Sequence, residues 1–123
     1  MNHAINWFEI PVTDFTRAKK FYETILNADM QFMEAMGMKS AFFPADFKSG
    51  AIGGCIIKGD GYEPSTKGSR VYLNGGDDLN TILSRVEKAG GKVTLPKSAI
   101  GANGCLAHFE DTEGNRVALH SMK

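Results

Sequence analysis

Ile5-Asn6-Trp7-Phe8-Glu9-Ile10-Pro11-Val12-Thr13-Asp14-Phe15-Thr16-Arg17-Ala18-Lys19-Lys20-Phe21-Tyr22 reads as a strand running straight into a helix. Phe8, Ile10 and Val12 alternate with Ile5, Trp7 and Glu9, the period of two that marks a half-buried strand. Pro11 closes that strand or sits at a sheet edge, because it cannot donate to a ladder. Thr13 or Asp14 caps a helix that runs to about Leu26. Ala18, Phe21, Tyr22 and Ile25 fall at i, i+3, i+4 and i+7 and form one apolar stripe. The nearest apolar partner for that stripe is the Phe8/Ile10/Val12 face. Trp7 and Glu9 then point away from the helix, into whatever the sheet encloses. Asn27 suits the left-handed residue that ends a helix.

The same arrangement returns 64 positions on. Val71 precedes Asp78 by seven residues, as Trp7 precedes Asp14. Leu79, Ile82, Leu83 and Val86 repeat the stripe, and Gly90-Gly91 stops it. Strand patterns follow each helix: 30–35 and 38–44 joined at Gly37, then 51–58; and later 92–95, 105–110 and 116–121, the last two joined by a turn at 112–115. Gly53 and Gly54 inside a strand point to a bulge or to the close approach of another backbone or a ligand. The chain therefore divides into module one at about 4–58, a polar linker at about 59–68, and module two at about 69–122. Two tandem βαβββ modules make an α+β fold, expected as a curled eight-stranded sheet around a cleft with helices outside. One copy of about 55 residues buries too little surface to stand alone. Joined copies share a core, and their seam is a natural ligand cleft. By strand parity, Val71 and Leu73 are expected on the cleft side, and Tyr72 and Asn74 toward the second helix.

Composition narrows the function. Fourteen basic and fourteen acidic residues give a formal net charge of zero, so no basic face recommends nucleic acid or an anionic membrane. No apolar run approaches the ~18 residues of a membrane span. Met1-Asn2-His3-Ala4 lacks the charged and apolar regions of an export signal. Cys55 and Cys105 form no CxxC pair and, without an export signal, are read as reduced thiols; the cytoplasm is the expected location.

Ile10-Pro11-Val12-Thr13-Asp14 followed by Ala18 and Phe21-Tyr22 resembles the first module of the vicinal oxygen chelate superfamily, which includes glyoxalase I, the bleomycin-resistance proteins and the extradiol dioxygenases. Phe109 and Asp111-Thr112-Glu113-Gly114-Asn115-Arg116 resemble its closing turn and last strand. With Gly90-Gly91, Pro96-Lys97 and Leu119-His120-Ser121, the combination is similar to the small, glyoxalase-like branch. The resemblance implies paired modules and a homodimer. It also implies, in members that use metal, four His, Glu or Gln ligands from the first and last strand of each module. Carried over by spacing, those positions fall on Trp7, Gly54, Val71 and Ala118. An indole, a glycine and two small aliphatics supply no first-shell donor for a divalent cation. No metal or other cofactor is therefore expected at this site.

Other chemistry remains open to the chain. Trp7 offers a flat apolar face and one N–H donor for a planar ligand. Glu9 shares its face, and His120 lies two residues past Ala118, so these two make the best acid/base pair on offer. His108 joins Trp7, Gly54, Val71, Leu73 and Ala118 as a candidate ligand contact. The leading expectation is a metal-independent binder of a small aromatic or apolar molecule. The alternatives are an isomerase or lyase that uses Glu9 and His120, and a scaffold dimer with a filled interior.

Overall fold

The computed structural model describes residues 3–123. Module one contains β1 (Trp7–Pro11), α1 (Phe15–Leu26), β2 (Gln31–Ala35), β3 (Met38–Phe42) and β4 (Gly53–Lys58). Module two contains β5 (Tyr72–Asn74), α2 (Asn80–Leu83), β6 (Lys92–Ala99), β7 (Cys105–Glu110) and β8 (Arg116–Ser121). The order β–α–β–β–β thus occurs twice, as the sequence predicts. The strands form two four-stranded sheets, β1-β4-β3-β2 and β5-β8-β7-β6. In each, the first strand runs parallel to the last and the remaining pairs are antiparallel. The expected eight-stranded sheet is therefore two sheets of four, with no ladder between them among the described residues.

α1 forms for the reasons legible in its sequence. The Asp14 side chain accepts from the Arg17 amide at 3.0 Å, satisfying one of the donors that a helix start leaves free. Asn27 ends the helix at φ 51 and ψ 51, a left-handed conformation that asparagine tolerates better than most residues. Ala18, Phe21, Tyr22 and Ile25 are all buried, with Ile10 and Val12 in the same core. Each large side chain so buried contributes roughly 1.5–3 kcal/mol before entropy is counted. Met36 and Gly37 join β2 to β3 with φ 55 and φ 74, the left-handed pair that matches the twist of a tight hairpin.

Module two departs from expectation in two places. The helix after Asp78 is a single regular turn, Asn80–Leu83, continued by turns to Gly90. Its amides alternate between i−3 and i−4 partners: Ile82 to Leu79 and Val86 to Leu83, but Leu83 to Leu79 and Ser84 to Asn80. Asn80, Thr81 and Ser84 favour such local alternatives over a regular helix. The stripe is buried all the same, with Leu79, Ile82, Leu83 and Val86 in the core. β6 runs on to Ala99 rather than stopping at Leu95. Its register slips around Pro96, as an edge strand permits.

Both modules contribute to one core cluster, from Ile10 and Tyr22 to Phe109 and Leu119. A polar clamp also joins them. Glu113, in the last turn of module two, accepts from the Thr13 amide (2.9 Å), the Asp14 amide (2.7 Å) and Arg17 Nε (2.8 Å) at the start of α1. Tyr22 donates to Asp111 at 2.7 Å, and Asn115 Nδ2 donates to the Pro11 carbonyl at 2.7 Å. Cys55 is buried and Cys105 half-buried, and both are free.

Candidate functional site at the module seam

The structural repeat is 65 residues, one more than the sequence suggests. Trp7 opens β1 and Tyr72 opens β5; Phe15 opens α1 and Asn80 opens α2. Trp7 lies beside Gly53 in its sheet, and Tyr72 lies beside Ala118 in the other. The aspartates are the misleading anchors. Asp14 is the cap of α1, whereas Leu79, not Asp78, holds that place in α2. A one-residue slip moves every strand side chain to the opposite face. Two expected placements change accordingly. Gly54 lies on the core side, where a Cβ would come within 2.4 Å of the Phe8 ring. Leu73 is core and Val71 packs against it, while Tyr72 stands 47% exposed on the open face. The four corresponding positions are thus Trp7, Gly53, Tyr72 and Ala118.

Those positions offer an indole, no side chain, a phenol and a methyl group. Neutral groups of this kind do not make the imidazole, carboxylate or thiolate shell that a divalent cation requires. The donor set does not fit a metal, and the polarising chemistry that a metal supplies has no anchor at these positions.

The open face of the first sheet is aromatic. Trp7 meets Phe42 edge-to-face at 5.6 Å and stacks on Phe47 at 6.3 Å. It is therefore turned away from α1, as the alternation predicts. Phe47 in turn covers Gly53, where a Cβ would come within 2.6 Å of its ring; a side chain at this position would push the phenylalanine off the sheet. Glu9 is exposed and accepts from the Tyr62 hydroxyl at 2.9 Å. Cys55, beside Glu9 in the ladder, has its thiol pKa raised by burial and by the Glu9 charge. It is held as a thiol rather than a nucleophilic thiolate.

The open face of the second sheet is polar. His108 lies across from Ala118, which lies beside Tyr72. Its Nδ1 is 3.1 Å from Arg70 Nη1, and its Nε2 is 3.2 Å from the Tyr72 hydroxyl. Burial lowers the His108 pKa, and the Arg70 and Arg116 charges lower it further, which favours the neutral ring. His120 sits across from Leu106 and beside Asn74, with Nε2 2.7 Å from the Asn103 carbonyl. The expected Glu9–His120 pair is not assembled: β1 and β8 belong to different sheets, and each group is bonded to another partner. His3 is exposed at the start of the described chain. Among the described residues, no three His, Cys, Asp or Glu side chains come together.

Between the two edge strands β1 and β5 lies a cavity of about 950 Å3. Phe8, Leu26, Phe43, Val71, Leu73 and Ile82 give it apolar walls, while Glu9, Arg70, Tyr72 and Asn74 supply its polar side. Val71 and Leu73 thus meet the seam from the core side rather than from the open face. Arg70, which the sequence offers as a rim contact for an anionic ligand, and Gly53, which it offers as a point of close approach, both line this hollow; Tyr72, read from the sequence as a core residue facing the second helix, was missed. The pairing of Tyr72 with Ala118, which depends on three-dimensional register, was the missing signal.

Two duplicated modules with a hollow along their seam define a class of small paired-module proteins, and the comparisons identify which class. The Glyoxalase/Bleomycin resistance protein/Dioxygenase superfamily model matches residues 4–119. The chain belongs to that superfamily. A glyoxylase-like domain-containing protein from Didymella fabae is 31% identical over 97% of this chain and 94% of its own length. A solved glyoxalase/bleomycin resistance protein/dioxygenase family enzyme from Burkholderia phytofirmans has a TM-score of 0.70 at 12% identity, covering 96% of this chain and 98% of its own. The fosfomycin resistance protein FosX from Listeria monocytogenes has a TM-score of 0.65 at 16% identity, covering 98% and 92%. A glyoxalase I variant from Zea mays has a TM-score of 0.69 at 20% identity, covering 94% of this chain but 46% of that longer one. At these identities, the solved structures establish the shared fold. No helix among the described residues is long and apolar enough to cross a membrane.

Proposed function

We propose that this protein binds a small, partly apolar molecule in the seam between its modules, without a divalent cation at the four strand positions. The observation that carries this reading is the cavity of about 950 Å3 between β1 and β5, apolar on its walls and polar on one side. Ligand sites commonly combine these features at volumes of roughly 300–1,000 Å3. The donor set at Trp7, Gly53, Tyr72 and Ala118 supports the metal-independent part. Trp7, stacked with Phe47, neighbours Gly53, which lines the hollow.

Filling the seam is the direct test. Val71→Phe adds a ring where Val71 meets both the cavity and the core. It should weaken ligand binding at least about tenfold while costing roughly 1–2 kcal/mol of stability. Unchanged binding in a folded Val71→Phe protein would place the ligand elsewhere. Trp7 is the only tryptophan, so its emission is an independent reporter, expected to shift when the seam is occupied. Purified protein carrying one tightly held divalent ion per chain would refute the metal-independent half of the reading.

A homodimer is part of the same proposal. β2 is an edge strand exposed along its whole length, with Phe32 at 52% and Met33 at 46% exposure. Such an edge invites pairing unless it is covered. Sedimentation should give twice the chain mass, and Met33→Lys should shift it toward the monomer.

A further inference from the structure

We propose that Tyr72 donates a hydrogen bond to an anionic oxygen of the ligand, and that Arg70 and His108 hold it in that role. The site would thereby select apolar molecules that carry a single carboxylate. The inference rests on the seam being a binding site, and it adds the chemical class of the occupant.

The argument follows from the direction of the hydrogen bonds. A guanidinium has donors and no acceptor. Arg70 therefore donates to His108 Nδ1 at 3.1 Å, and that nitrogen carries no proton. A neutral imidazole then has its proton on Nε2, which faces the Tyr72 oxygen at 3.2 Å. With Tyr72 accepting from the ring, its own O–H remains to donate. No second hydrogen bond uses it among the described residues, and the side chain is 47% exposed beside the cavity. His108 is biased toward the neutral form by burial, Arg70 and Arg116, as this direction requires. Arg116 is itself only loosely engaged, with Glu110 at 4.0 Å.

The surrounding charges give the ligand a direction. Arg70 and Tyr72 stand together on the module-two side of the cavity, and Glu9 stands on the module-one side. A carboxylate is favoured against the first pair and disfavoured near Glu9. The apolar body then lies between Phe8, Leu73 and Ile82. The formation of one charge-assisted hydrogen bond beside a guanidinium is the discriminating step. Tyr72 and Arg70 touch the ligand in this scheme, while His108 is a positioning residue.

The test compares naphthoate with naphthalenemethanol, and a matched set of alkyl carboxylates and alcohols, by heteronuclear NMR titration of the Tyr72 and Leu73 amides. Carboxylates should bind about tenfold more tightly than the alcohols. Tyr72→Phe and Arg70→Gln should each remove most of that preference, weakening the carboxylates several-fold more than the alcohols. Glu9→Gln should increase it. His108→Ala should weaken it, and His108→Gln, whose amide can accept from Arg70 and donate to Tyr72, should restore it. Equal binding of acids and alcohols to the native protein, or an undiminished preference in Tyr72→Phe, would overturn the assignment and leave the seam reading standing. Failure of both series to bind would remove the seam reading, and this inference with it.

Discussion

Glu113→Gln lowers the stability of the fold by on the order of 2–3 kcal/mol at pH 7 and flattens its acid unfolding. The Glu113 carboxylate is the acceptor from module two that grips the start of α1. One oxygen takes the Thr13 amide, the Thr13 hydroxyl (3.0 Å) and the Asp14 amide, and the other takes Arg17 Nε. Its side chain is 0% exposed. Burial pushes its pKa up, but Arg17 and the amides of Asp14 and Thr13 outweigh this and hold it at about 2, against 4.5 when free. An anion at a helix start is also favoured by the aligned peptide dipoles. A folded pKa below the unfolded one means that the contribution is fully present above about 4.5 and is lost as pH falls toward 2. Glutamine turns an NH2 toward groups that are themselves donors, so one side of the clamp must open. Urea unfolding at pH 7 and at several acid values measures both effects. A variant within about 0.5 kcal/mol of the native protein at pH 7, with the same acid slope, would show that the clamp does not hold the modules together.

Asp111→Ala is expected to cost more, about 3–5 kcal/mol, because it orphans buried donors. Asp111 accepts from the Glu113 and Asn115 amides at 2.9 Å each, from Asn115 Nδ2 at 3.0 Å and from the Tyr22 hydroxyl at 2.7 Å. Tyr22 is 0% exposed, and Asp111 and Asn115 are nearly as covered. Tyr22→Phe should cost less, roughly 1–2 kcal/mol, since it removes one donor and leaves the carboxylate three others. The Asp111 pKa is raised, because burial exceeds the effect of its hydrogen bonds. Its acid dependence therefore has the opposite sign: its protonation favours the folded state as pH falls through the carboxylate range. Acid unfolding is driven by Glu113 against Asp111. Thermal unfolding of the three variants at pH 7 ranks these costs, and Tyr22→Phe matching Asp111→Ala would contradict the orphaned-donor account.

The same turn explains why the family resemblance was legible in the closing motif. Asp111, Glu113 and Asn115 are close in sequence, but their partners Thr13, Arg17 and Tyr22 lie nearly a hundred residues earlier. The spacing marks a turn, whereas only the fold shows that the turn grips the other module. α1 was likewise legible, since its cap, stripe and stop are all local signals. α2 was legible as a buried stripe but not in its length, because its weak helix formers let tertiary burial decide the backbone.

Local patterns alone determined the two βαβββ modules and the turn of Trp7 and Glu9 away from α1, because alternation and capping act over a few residues. Register between the copies lay beyond them. Asp78 and Asp14 look equivalent in the chain, yet the ladders align Trp7 with Tyr72. That single-residue difference turned Tyr72 out to the open face and Val71 inward. Hydrogen bonding between β5 and β8 decided it, since in a sheet the choice of partner across the ladder, rather than the chain's own spacing, sets which face each side chain meets.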